Sequence, residues 1–278
     1  MATKRVQQRA LAWFGSDCMV CEQYAALLAD CKHVVVPFCG GLSIVAHLVK
    51  TAGEIICNDK HRLAMNFYNV LRDESLKNRL IEQLQATPFH EDLLYKSQQL
   101  CKTHPDHWLS DLMMAYHYFI TCWMGRSGKS GTNSEFNGGL AMRWDAGGGS
   151  SPLRFQTAVR SIKDYWGPIC ERCSFVCKDW TEIVNKVKDD PKNALYADAP
   201  WPDAGDDYVH SFRNPQDHIR LRNELLRFKE TKILVRYGDN KLIRDLYGDT
   251  NYWRIRTLVS RDQANNGVGE LCITNFGL

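Results

Sequence analysis

Two short motifs carry residue types that could do chemistry. The first is Asp198-Ala199-Pro200-Trp201, at the end of an apolar run. An Asp there can accept a hydrogen bond from an exocyclic amine, and the carbonyl of the next peptide can accept a second. Drawing both amine hydrogens toward acceptors turns the nitrogen lone pair toward an electrophile. Pro200 stiffens the turn, and Trp201 offers a face on which a base can stack. A strand-ending turn with a solvated Asp and a packed Trp would read the same way. The second motif is Pro37-Phe38-Cys39-Gly40-Gly41-Leu42-Ser43. Paired glycines let a ligand approach the backbone closely, and the helix that follows presents free N–H groups. The next apolar run ends in Asn58-Asp59. An acidic residue roughly 20 positions after the glycines suits a ribose hydroxyl pair, and would equally cap a helix.

Both motifs need strand ends to hold them. Short apolar runs recur at Val34-Val35-Val36, Glu54 to Cys57, Ser174 to Cys177, Ala194 to Ala197, Lys232 to Tyr237, Tyr252 to Val259 and Glu270 to Phe276. Runs apolar on both faces are buried parallel strands. Helical patterns lie between them over Ser43–Lys50, His61–Arg72, Trp180–Lys188, Pro215–Lys229 and Lys241–Tyr247. The alternation predicts an α/β, doubly wound sheet. The last two strands have no helix between them and should close it as a hairpin.

The alternation breaks between Asp73 and Ile169. As far as Met124 the pattern is helical, with apolar residues at three–four spacing over Leu76 to Gln85 and Leu109 to Trp123. A loop rich in Gly, Ser and Asn then runs from Gly125 to Pro152. Loops of that length are either functional or disordered. From Arg126 to Lys163 basic residues outnumber acidic ones, and from Asp189 to Asp207 Asp dominates, so the two stretches should do different jobs.

The 278 residues, 44% of them apolar and 24% charged, exclude wholesale disorder. No apolar run approaches the length of a membrane span. The segment Met1 to Arg9 lacks an apolar signal core, so a cytoplasmic protein is expected. The eleven cysteines are then expected as reduced thiols. Cys18 with Cys21 and Cys170 with Cys173 have zinc-like spacing, but packing as small hydrophobes is the stronger expectation.

In order and spacing these motifs resemble the Dam-like adenine-specific (N6) DNA methyltransferases, especially phage and prophage members. The resemblance covers nearly the whole chain. It rests on Trp13-Phe14-Gly15-Ser16-Asp17, Pro37 to Gly41, Asn58-Asp59, Asn66-Phe67-Tyr68, Asp179-Trp180, Asp198 to Trp201, Tyr208 with Phe212, Leu246-Tyr247, and Glu270 to Phe276. No single match is specific, but their shared order is.

The resemblance implies a Rossmann-like class I S-adenosylmethionine methyltransferase sheet, formed by residues 1–72 and 170–278. Residues 73–169 become a mainly helical target-recognition insert. It implies S-adenosylmethionine as methyl donor and N6 of a flipped-out adenine in double-stranded DNA as acceptor. Asp198, Ala199, Pro200 and Trp201 are then the catalytic set. Asp59 holds the cofactor ribose and Asp179 and Trp180 its adenine, while Trp13, Gly15, Pro37, Phe38, Gly40 and Gly41 hold the rest. Arg126, Lys129, Arg143, Arg154 and Tyr208 face DNA, and Trp144 could stack on or wedge into bases.

Three positions depart from the family pattern. Ala199 replaces its first Pro, Val36 an acidic residue, and Asp17 a Lys. Two of the three belong to the expected cofactor pocket. They leave room for a fold that binds DNA without transferring methyl, or that uses another acceptor or nucleoside-containing donor.

Overall fold

The structure, a computed structural model, describes residues 7–16, 19–103, 111–142, 150–203, 207–248, 251–261 and 267–277. Seven strands form one sheet: β1 (His33–Val36), β2 (Glu54–Asn58), β3 (Cys173–Val176), β4 (Asn193–Ala197), β5 (Lys232–Gly238), β6 (Arg254–Arg261) and β7 (Gly267–Thr274). Their spatial order is β3-β2-β1-β4-β5-β7-β6. The first five pair in parallel, and β7 runs antiparallel between β5 and β6. This is the expected α/β sheet, with its closing hairpin.

Period-two alternation sends side chains to two cores. Val34 and Val36, Ala194 and Tyr196, Leu234 and Cys272 face one core. Val35, Leu195, Ala197, Ile233, Val235, Tyr237, Leu271 and Ile273 face the other. The second core is closed by α9 (Trp180–Val184), α10 (Pro215–Leu225) and α11 (Lys241–Tyr247). Over the first lie α1 (Cys21–Leu27), α2 (Val45–Leu48) and α3 (Arg62–Arg72), and, through Phe67 stacked on Phe119, the helices of the middle segment. Burying a large apolar side chain fully contributes about 1.5–3 kcal/mol each, so strands apolar on both faces are stable only between two such layers.

The middle segment is helical: α4 (Glu74–Gln85), α5 (Glu91–Thr103), α6 (Leu112–Met124), α7 (Ser151–Ser161) and α8 (Gly167–Glu171). Asp73 and Asp111 cap α4 and α6 by accepting from Leu76 N and Met114 N. Several helices end before their apolar pattern does: α9 stops at Val184 and α10 at Leu225, while α2 spans only Val45–Leu48. Within the Gly/Ser-rich loop, residues 125–142 and 150–152 are described. A 3-10 turn forms over Arg126–Gly131, Gly125 bridges to Leu140, and buried Phe136 anchors the loop against His61. The acidic stretch has a structural use, because Asp189 accepts from the N–H groups of Lys229, Glu230 and Thr231.

Among the described residues no helix is long and apolar enough to cross a membrane. Nor does any group of three or more His, Cys, Asp or Glu there form a metal site. Cys21, Cys170 and Cys173 are buried, as the packing reading expects, while Cys18 lies outside the described residues.

Candidate active site

The strand order reverses between β1 and β4. Ligands bind at the carboxyl ends of strands flanking such a reversal. The ends of β1 and β4 are where the Pro37–Gly41 turn and the Asp198–Trp201 motif begin. Asn58 ties neighbouring ends together: its amide donates to the carbonyls of Pro37 and Lys178 and accepts from Lys178 N.

A cavity of about 420 Å³ opens there, within the usual range of small-ligand sites, about 300–1,000 Å³. Trp13, Gly15, Pro37, Phe38, Gly40, Gly41, Asp59, Asp179 and Trp180 all line it, together with Asp198, Pro200 and Tyr208. Ala199 and Trp201 do not. Ala199 is buried in the second core. Trp201 rests against Gly238, where an added Cβ would come within 2.7 Å of its ring, and the Arg236 guanidinium carbon lies 4.9 Å from the ring centre.

At the glycine turn, Gly40 N donates to Asp59 Oδ2 at 3.0 Å and Tyr68 donates to Gly40 O at 2.5 Å. Asp59 Oδ1 accepts from His61 N at 2.9 Å. Asp59 therefore serves the start of α3 and the cavity at once. Burial raises its pKa, and the backbone donors only partly offset that. Leu42, fully buried, adopts φ +65 directly after the turn, a conformation costing roughly 1–2 kcal/mol that the surrounding packing must hold.

At the end of β3, Asp179 caps α9 by accepting from Thr181 N and Oγ1. Burial works to raise the Asp179 pKa, but those bonds and the Lys60 charge outweigh it. Trp180, Phe38 and Phe212 form an aromatic wall, with ring centres 5.5–6.3 Å apart.

The β4 end holds a cluster that the motif reading missed. Arg236 on β5 donates to Asp198 Oδ2 at 2.8 Å, to Gly15 O at 2.9 Å, and by a two-pronged bond to Glu270 on β7 at 2.9 and 2.7 Å. Burial alone would lower the Arg236 pKa, but the two carboxylates raise it well above its ordinary value, so it stays charged. The signal was visible. Arg236 and Glu270 are opposite charges inside apolar strands, and buried charges need partners.

The residues expected to face DNA divide. Tyr208 donates to Phe14 O at 3.0 Å, so its hydroxyl is already engaged in the cavity wall. Lys129 pairs with Asp207 at 2.8 Å and lies over the Phe14 ring, instead of projecting alone from the surface. Arg126 is exposed on the 3-10 turn and Arg154 half-buried on α7. Arg143 and Trp144 lie outside the described residues, as does Asp17. Val36 is fully buried and absent from the cavity wall. An apolar residue there costs the cavity no surface.

His61 gives a testable pH dependence. It is 6% exposed among Trp13, Tyr118 and Phe136. Burial, aided by nearby His210, pushes its pKa down from 6.5 to about 3. The unfolded chain binds that proton near 6.5 and the folded chain only near 3. The stability is therefore complete above 6.5 and declines as pH falls, by about 1.4 kcal/mol per unit. In urea titrations from pH 7 to pH 5, the native chain should lose about 2 kcal/mol more than His61→Phe. Equal losses would show that His61 accepts a proton in the fold. The other histidines are common to both chains and cancel.

No curated protein matches the chain. A family model matches it over residues 20–260, a span that includes β1 to β5, the glycine turn and the Asp198 motif. With that match over a fold whose β1 and β4 ends share one cavity, the chain belongs to the D12 class N6 adenine-specific DNA methyltransferase family.

Proposed function

We propose that this chain takes the methyl group from S-adenosylmethionine, bound in the β1–β4 cavity, and that Asp198 and the Ala199 carbonyl orient the adenine amine that receives it. The observation that carries this reading is the meeting of the glycine turn, Asp59 and Asp198 around one cavity of about 420 Å³. Its chemistry fits a nucleoside with an amino-acid tail: a carboxylate for a ribose diol, an aromatic wall for a base, and a glycine turn in the cavity wall. When bound, the cofactor supplies a methyl group on a positively charged sulfur.

The protein's own part is mostly positioning. Asp59 accepts from the ribose hydroxyls, and Asp179 and Trp180 hold the adenine ring. Gly40 and Gly41 admit the amino-acid end, with Trp13 and Gly15 covering it and Pro37 and Phe38 forming the wall beside it. The target base leaves the duplex and stacks against Trp201, whose ring is braced by Gly238 and Arg236. Asp198 and the Ala199 carbonyl accept from the amine, leaving its lone pair directed at the methyl group. Asp198 needs no raised basicity, because the amine proton becomes acidic only as the new bond forms. Such orientation can supply roughly 7–11 kcal/mol. The Ala for Pro change at 199 keeps the carbonyl and loses rigidity, worth up to about 1 kcal/mol.

Residues 73–169 act as the target-recognition unit. The 3-10 turn over Arg126–Gly131 leads into Thr132, which lines the cavity and accepts from Val209 N. Arg126 and Arg154 then contact phosphates, and Lys129 does so once released from Asp207. If so, Arg126→Ala or Arg154→Ala lowers the slope of log K against log salt for duplex DNA by about 0.9 per lost contact. An unchanged slope in both removes this face from the DNA interface.

The primary test is calorimetric titration with S-adenosylmethionine, followed by transfer of labelled methyl to unmethylated DNA. Binding with label in N6-methyladenine supports the reading. Absence of binding at near-millimolar cofactor overturns it.

A further inference from the structure

We propose that Arg236 is the positioning residue of methyl transfer, fixing Asp198 and Trp201 relative to the cofactor-covering segment at Gly15. The proposal rests on Asp198 accepting from the amine. Its geometry is that of a planar group clamped at one edge. Glu270 takes Nε and Nη2 of Arg236 at 2.9 and 2.7 Å, which sets the plane of the guanidinium. Nη1, on the opposite edge, then points at Asp198 Oδ2 and Gly15 O, 2.8 and 2.9 Å away. The face of the same group lies 4.9 Å from the centre of the Trp201 ring. Strand alternation produces this arrangement. Arg236 follows Leu234, Asp198 follows Tyr196, and Glu270 precedes Cys272 by two residues, so all three reach one face of the sheet. Arg236 and Glu270 are each 3% exposed.

Stability is a weak reason for such a cluster. Replacing buried ion pairs with apolar residues of similar volume is often neutral or stabilising. A guanidinium fork, in contrast, delivers rigid two-edged placement that no apolar group or ammonium can copy.

The test is the double variant Arg236→Gln/Glu270→Gln, which leaves the net charge of the cluster unchanged. Its single-turnover rate at saturating cofactor and DNA is expected to fall about 100-fold, the scale of a misplacement near 1 Å. Its KM for DNA should stay within about threefold and its unfolding should remain cooperative, since orientation and not binding is what is lost. Arg236→Lys, which keeps the charge but not the fork, should fall about tenfold and serves also if the double variant does not fold. A rate within threefold of the native chain in a folded double variant, or in Arg236→Lys, overturns the proposal. So does a loss confined to KM. A native chain that transfers no methyl overturns it together with the reading of Asp198, whereas an active native chain with active variants overturns it alone.

Discussion

Asp198→Ala is expected to lower methyl transfer about 1,000-fold at saturating DNA and cofactor, the scale for losing a preorganised polar group at the reacting atom. The fold should survive. Arg236 keeps its two bonds to Glu270, so no buried cation is stranded. S-adenosylhomocysteine should bind with nearly native affinity, because the contacts assigned to it lie at Asp59, Asp179 and the glycine turn. Asp198→Asn keeps one carbonyl acceptor and the shape of the side chain, so its loss should be smaller. The order Asp, then Asn, then Ala, read from single-turnover rates with an unchanged Kd for S-adenosylhomocysteine, identifies Asp198 as the amine's acceptor. A native rate in Asp198→Ala would assign that role to another group.

The sheet was legible because a strand buried on both faces leaves a signature that few other elements leave. Val34-Val35-Val36 and Lys232 to Tyr237 carry it, and both became central strands. Helix ends were less legible. Residues past Val184 in α9 keep an apolar pattern but pack as a turn, where Val187 N donates to the carbonyl of Val184. At the site, each motif was visible alone, but their meeting was not. Gly41 and Asp198 are far apart in the chain and come to line one cavity because β1 and β4 pair in parallel at the point of reversal. Lys129 read as a surface charge for phosphate, since nothing local reveals that Asp207 will lie beside it. Arg236 and Glu270 are the instructive case. They interrupt apolar strands with opposite charges, and the desolvation cost of either alone predicts a partner. The third member, Asp198, follows only from strand order. The departures at Val36 and Ala199 also look different in three dimensions. Both side chains lie in the cores and neither lines the cavity.

Gly40→Ala should raise the Kd for S-adenosylmethionine at least tenfold while leaving Asp198 and its partners in place. Gly40 adopts φ +43, where an added Cβ costs about 1 kcal/mol. That Cβ would lie 2.9 Å from Trp13 Nε1 and 3.2 Å from two ring carbons. The peptide cannot turn away, because Asp59 holds its N–H and Tyr68 holds its carbonyl. Trp13, 7% exposed, must therefore move. It covers the place proposed for the amino-acid end of the cofactor. Binding should suffer from the displaced ring and the strained turn. Calorimetric titration checks this, with Gly139→Ala as the control, since an added Cβ there meets nothing within 4 Å. Because Asp198 follows β4 and Arg236 lies on β5, neither of them part of the glycine turn, raising the cofactor concentration should restore transfer in Gly40→Ala. It should not restore transfer in Asp198→Ala. Native affinity in Gly40→Ala would move the cofactor's amino-acid end away from the glycine turn, and Trp13 with it.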